Sequence, residues 1–432
     1  VDQAIASLKR LPHTEVKPGL ARIRALLAAV GNPHHRLRAV HIAGTNGKGS
    51  VAVMLASVLQ RAGYRVGLYT SPHLISYCER IQIDQTPITE GEFARLADEL
   101  MPIADLMTDT PTQFEFLTAM AFLSFARQKI DIAVIEVGLG GRFDATNVIT
   151  PIVSVLTNVE LDHTDLLGST IEQIAWEKVG IAKRDVPLVT GERKGEALRV
   201  IERECAAVGA PLIRARERAR RIDFTWEYQE FELTPFSPSL KGRGDSPPRC
   251  GEGRERSLRL ALLGGYQQEN LNIVLEALEV LRQSLAISEE AVREGLESTR
   301  WPGRFEVVQR EPFVIVLDGA HNPHAVGALR DDLRRYREKY RIQKSALLFG
   351  VLKDKDYRTM AQTLFPEFDK IILVRPESPR ALDPVELRPW APHAKIYPDV
   401  AAGLTAACET KPELLCVTGS LYLVGEVKRL FV

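Results

Sequence analysis

Short, nearly continuous apolar runs alternate with longer amphipathic stretches through the first half of the chain. Residues 38–43, 66–70, 130–137, 152–157 and 186–190 have the length and content of buried strands, and 51–62, 114–127 and 171–182 carry helical spacing. This alternation predicts an α/β fold, a mostly parallel sheet covered by helices. A second alternation starts at about residue 303, with strands at 313–317, 346–349, 370–374 and 414–418 and helices at 323–336, 357–364, 400–409 and 421–431. The helical stretch 267–282 precedes it and closes the first half. Two further strands, 224–233 and 257–263, flank a segment that contains SPSLKGRGDSPPRCGEGRER. Residues 235–256 offer too little apolar surface to offset their ordering entropy, so they read as a tolerated loop insertion.

Length then sets the domain count. One hydrophobic core serves about 250–300 residues, and this chain has 432. Residues 1–300 are expected to form an N-terminal phosphate-loop nucleotide-binding domain, and 301–432 a smaller Rossmann-like α/β domain. The 56 basic and 56 acidic residues cancel, which argues against nucleic acid or an anionic membrane as a partner; anion binding must be local. No apolar run approaches the roughly 20 residues of a membrane span. The start Val1-Asp2-Gln3 lacks a basic stretch followed by an apolar core. A cytoplasmic protein is expected. The five cysteines are far apart, without zinc spacing, and their odd number fits a reducing compartment.

The chemistry concentrates first at HIAGTNGKGS, residues 41–50, between an apolar strand and an apolar helix. Backbone N–H groups at such a helix start bind anionic oxygens, and a lysine neutralises their charge. Gly44, Gly47 and Gly49 let the backbone approach closely, Lys48 would reach terminal phosphates, and Ser50 could support a metal. The spacing departs from GxxxxGK[ST], so a structural glycine turn is the competing reading. Glu136 follows the apolar run 130–135 at the carboxyl end of a strand, where a hard oxygen ligand suits Mg²⁺. His163 is an unusual magnesium ligand on softness grounds, and on the residues alone a hydrogen-bonded loop histidine is the favoured reading. Lys178 alone reads as a solvated helix-face lysine, and Lys183 as a plain surface one.

GTNGKGS is similar to the phosphate loop of folylpolyglutamate and dihydrofolate synthases, a branch of the Mur ligase superfamily. The resemblance continues in order through SPHL (71–74), FEF (114–116), EVGLGGRFDATN (136–147), TNVELDHT (157–164), EKVGI (177–181), PGR (302–304), LDGAHNP (317–323) and GS (419–420). It implies that Asn46, Gly47, Lys48, Gly49, Ser50, Asn270, Arg304 and Asp318 bind ATP. Ser71, Glu136, His163 and an N-carbamylated Lys178 would hold two Mg²⁺. Thr112, Phe114, Asp144 and Ala145 match pterin-facing positions, and His321 and Ser420 positions linked with glutamate; Lys48, Lys178 and His321 would be catalytic. Bland readings compete at several of these: an ion pair for Arg304, core packing for Phe114, a capped turn before Pro323 for His321. Tyr266-Gln267 stands where the family often has His-Gln, so the base contact there stays open.

The implied reaction joins a folate or dihydropteroate carboxylate to L-glutamate. ATP first converts the carboxylate to an acyl phosphate, in a cleft between two domains of a monomer. A phosphate-loop switch that hydrolyses nucleotide to move a partner is a rival from another class, but it has no use for the DGAHNP and GS set. Cell-wall Mur ligases carry a further N-terminal domain, for which the roughly 44 residues before this loop leave little room.

Overall fold

The computed structural model describes residues 2–12, 19–234 and 257–431; the 235–256 insert lies outside them. Its largest sheet has eight strands: β1 (Ala39–Ala43), β2 (Val66–Tyr69), β3 (Ile81–Ile83), β4 (Thr86–Pro87), β5 (Ile132–Glu136), β6 (Val153–Leu156), β7 (Leu188–Thr190) and β8 (Leu212–Arg214). Their spatial order is β4-β3-β2-β5-β1-β6-β7-β8. The six strands from β2 to β8 run parallel, and β3 and β4 form an antiparallel edge. β1 and β5 are buried at every residue, as parallel strands covered on both faces must be, which is why they read as nearly continuous apolar runs, broken only by His41 and the terminal Glu136.

Alternate residues of these strands enter opposite cores. Val40, Ile42, Ile132 and Val134 pack with helix Lys48–Arg61, whereas Ala39, Ala133 and Ile135 pack with helix Gln113–Gln128. The first helix is buried from Ser50 to Leu59 and lies against helices Gln267–Leu281 and Glu289–Ser298. Ser57 Oγ donates to the Gly295 carbonyl at 2.7 Å across that contact.

A three-stranded antiparallel sheet follows, built from Ala219–Phe224, Gln229–Leu233 and Ser257–Leu260. The stretch 224–233, expected as one strand, is therefore the end of one and the whole of the next. Thr225 breaks it: its hydroxyl accepts the N–H groups of Glu227 and Tyr228 and forms the turn. The second α/β sheet runs Glu306–Gln309, Val314–Leu317, Leu414–Thr418, Ser345–Phe349, Lys370–Leu373, Lys395–Ile396 in space, parallel after its first pair. No described helix is long and apolar enough to cross a membrane, and the four described cysteines are free.

Candidate active site between the two sheets

Four adjacent strands of the large sheet, β2, β5, β1 and β6, end at Ser71, Glu136, the phosphate loop and residues 157–163 respectively. Opposite them, strand Val314–Leu317 ends at Asp318, Leu414–Thr418 at Ser420, and Ser345–Phe349 leads to Lys355. Residues from both groups line one cavity of about 320 Å³. Crevices at the carboxyl ends of parallel strands are where α/β folds bind ligands.

The phosphate loop is shaped by contacts within the chain. A Cβ on Gly44 (φ +147°) would sit 1.8 Å from Thr157 Oγ1, and one on Gly47 (φ +84°) 2.3 Å from Asn270 Oδ1. Thr157 Oγ1 donates to the Asn46 carbonyl at 2.6 Å, and Asn158 Oδ1 accepts the Asn46 N–H at 3.0 Å. The helix starts at Lys48, three residues before the apolar pattern indicated, so the N–H groups of Lys48, Gly49 and Ser50 lie in its first turn, the position that receives anions. Lys48 Nζ donates to the carbonyls of Gly44 (3.0 Å) and Thr45 (3.2 Å). Burial lowers its pKa, with Glu136 and Asp162 opposing. Gln267 links Ser50 (3.3 Å) to Asn270 (2.9 Å).

Beside the loop, Glu136 is buried, and its Oε2 accepts the Ser71 N–H at 2.9 Å. Burial raises its pKa against the pull of Lys48. Lys178 is no solvated helix-face residue: it is 4% exposed, and its Nζ donates to the Gly44 carbonyl at 3.0 Å. Burial, then the neighbouring Lys48, push it down to about 7. Lys183 is not a plain surface lysine either. The helix ends at Val179, and Lys183 turns inward to donate to Asn147 Oδ1 at 2.7 Å, with burial lowering it to about 8. His163 adopts a left-handed conformation (φ +50°) and lines the cavity; burial lowers its pKa, followed by the effect of Lys355. Among the described residues, no three His, Cys, Asp or Glu side chains gather closely enough to hold a metal by themselves.

On the facing wall, buried Asp318 accepts the N–H groups of Phe305 and Ala320, both at 2.8 Å, and the Tyr266 hydroxyl at 3.4 Å. Arg304 donates to the Gly319 carbonyl at 3.4 Å, a loose contact rather than an ion pair. His321 Nδ1 lies 2.8 Å from that same carbonyl. A carbonyl can only accept, so Nδ1 carries the proton and Nε2 is left as an acceptor. Burial, then Lys355 and Arg304, lower this histidine to about 4. The capping role falls to Asn322, whose Oδ1 accepts the Ala325 N–H, so His321 is free of it. Ser420 caps helix Leu421–Arg429 through the Leu423 N–H.

A Mur ligase middle-domain model matches residues 42–187, and the Mur ligase glutamate ligase domain matches 303–421. The chain is 36% identical over 429 residues to the dihydrofolate synthase/folylpolyglutamate synthase of Bacillus subtilis, covering 96% of this chain and 95% of that one. The chain belongs to the folylpolyglutamate/dihydrofolate synthase family of Mur ligases. Solved structures agree. Folylpolyglutamate synthase from Thermotoga maritima superposes with a TM-score of 0.84 at 37% identity, covering 99% of this chain and 96% of that one. The Mycobacterium tuberculosis enzyme complexed with ADP gives 0.86 at 30%, covering 99% of each. As a member of this family, the protein is an ATP-dependent ligase.

The positions matched to the family's pterin contacts lie outside the lining of this cavity, and two of them, Asp144 and Phe114, pack against its lining residues Gly138 and Leu139. Asp144 accepts the N–H groups of Gly138 and Leu139, both at 3.0 Å, and that of Thr146. Ala145 is buried. Thr112 caps helix Gln113–Gln128 in a reciprocal box with Glu115. Phe114 is half-buried, and its ring lies where a Cβ on Gly138 would be. Three cavity residues of this ligase, His324, Lys355 and Arg380, lie outside every motif read in the sequence, and Asp162, within the 157–164 motif, had no role assigned to it.

Proposed function

We propose that this chain forms the amide between the carboxylate of a folate or dihydropteroate and the amine of L-glutamate, through an acyl phosphate. The reading rests on one observation: the phosphate loop with Glu136 and Lys178 on one wall, and a neutral histidine with Ser420 on the other, share a single cavity. An acceptor carboxylate oxygen attacks the γ-phosphorus of ATP and ADP leaves. Lys48, the first-turn N–H groups and Arg304 take up the charge of transfer, which is mainly a matter of positioning and electrostatics. The glutamate amine then attacks the acyl carbon, phosphate departs, and the amine sheds its protons. His321, neutral with an unprotonated Nε2, orients that amine, and Asp318 accepts nucleotide hydroxyls.

The buried Glu136 carboxylate, with Ser71 and His163 on the same rim, fits one Mg²⁺, a cation that takes one or two protein oxygens and fills its shell with phosphates and water. When bound, the ion neutralises phosphate charge. Lys178, once carbamylated, adds an oxygen donor for a second. We place the domain division at about residue 300, between helix Glu289–Ser298 and strand Glu306–Gln309. A monomer suffices, since both cavity walls come from one chain, and a cytoplasmic setting fits its use of ATP.

Turnover of ATP should require both an acceptor and L-glutamate, measured as ADP release with each omitted in turn. Release independent of both would replace this reading with a nucleotide-driven switch. Parallel assays with dihydropteroate and with reduced folates distinguish the acceptors. Glu136→Gln preserves shape and removes the anionic oxygen, so half-maximal activity should need about tenfold more Mg²⁺ and turnover should fall with it. An unchanged magnesium titration would move the metal elsewhere.

A further inference from the structure

The two walls of the cavity meet in a polar seam that the reaction as described does not use. Lys355, from the C-terminal sheet, places its ammonium 2.9 Å from Asp162 Oδ1, with side chains only 8% and 13% exposed. Asn322, the N-cap of helix Pro323–Tyr340, sends its amide across to Asn46 Oδ1 at 3.1 Å and Asp162 Oδ2 at 3.4 Å. Both oxygens of Asp162 thus receive donors from the far side, and the same helix start is tied to the phosphate loop next to His321. An exposed ion pair contributes little to holding two surfaces together. A buried one resists removal of a partner, because the charge left behind is desolvated and unmatched.

We propose that Asp162 and Lys355 form a clasp that keeps the cleft shut over the acyl phosphate, with Lys355 a positioning residue for the glutamate half of the reaction. The proposal rests on the ligase reading above. Its chemistry is that of a reactive intermediate: water can add to the acyl carbon, expel phosphate and regenerate the carboxylate, so that ATP is consumed without an amide. A clasp that closes behind glutamate leaves the amine as the nearest nucleophile and limits water.

The test is the ratio of ADP formed to amide formed by the full chain with acceptor, ATP and glutamate. The parent should give about one, and Lys355→Met, which fills the space without charge, at least about fivefold more. Its KM for glutamate should rise while the Kd for ADP stays within about twofold, a split that general damage would not produce. Lys355→Arg keeps the charge and should hold the ratio near the parent value; it also serves where the Met variant fails to fold. A parental ratio in Lys355→Met, whether its amide rate is parental or uniformly reduced, overturns the clasp, as does a raised ratio in a folded Lys355→Arg equal to that of the Met variant. If the parent releases ADP with neither acceptor nor glutamate present, the ligase reading fails instead, which is a distinct result; parental release that needs the acceptor but not glutamate overturns the clasp.

Discussion

Lys48→Ala should lower ligation by about 10²–10³-fold or more while leaving the melting temperature near that of the parent. The two effects separate because different residues do the two jobs. The loop is shaped by Gly44 and Gly47 against Thr157 and Asn270, and by Thr157 and Asn158 bonding to Asn46. Lys48 contributes only two bonds to carbonyls of the same loop, and its burial already disfavours its charge, so removing it relieves a desolvated cation. What is lost is charge on the transferring phosphate, and one preorganised donor in a dry site accounts for about 10²–10³ in rate. Quantifying glutamylated product and recording a thermal melt decide the matter. Turnover close to the parent would reject the phosphate-loop assignment, and a collapsed melt would show that the lysine is structural.

The parallel strands were legible because burial on both faces leaves few polar positions: only His41 interrupts Ala39–Ala43, and Thr418 ends Leu414–Thr418. Helix Tyr357–Leu364 was legible for the complementary reason, its apolar residues falling on one face. The 224–233 stretch was not, because a single threonine hydroxyl makes the turn between otherwise strand-like runs. Helices such as Glu90–Leu106 and Gly195–Val208 went unrecognised; the second mixes charged residues densely with its buried stripe of Ala197, Leu198, Val200, Ile201 and Cys205.

At the site, motifs that are contiguous in sequence located the phosphate loop and Glu136. Thr112 shows the opposite case: T-x-x-E is a capping-box signature, and the local reading explains the geometry found there. Lys178 and Lys183 could not be ranked from their own surroundings, since burial of a lysine is decided by what packs over it. The Asp162–Lys355 pair spans 193 positions and exists only once the two sheets are apposed, so no spacing rule could announce it.

Lys178→Ala should be nearly inactive, below about 1% of the parent, and partly rescued by added short carboxylates; Lys178→Arg should be inactive and not rescued. Carbamylation requires an unprotonated amine: nitrogen attacks CO₂, an N–C bond forms, a proton leaves, and a cation becomes an anionic oxygen donor. An ordinary lysine with a pKa near 10.4 is unprotonated in only about one molecule in 2,500 at pH 7. Burial at Lys178 brings the value to about 7, which raises that fraction to about one half. The sign gives the pH dependence: below pH 7 the amine takes up a proton and carbamate formation should fall, and above pH 7 it should level off. ¹³C-bicarbonate would report this independently of activity, through a carbamate carbon signal present in the parent and absent from both variants. Arginine keeps its positive charge throughout and fills the place an added carboxylate would need. An alanine variant as active as the parent, together with no carbamate signal in bicarbonate at pH 8, would end the idea and leave Lys178 as a neutral donor to the Gly44 carbonyl.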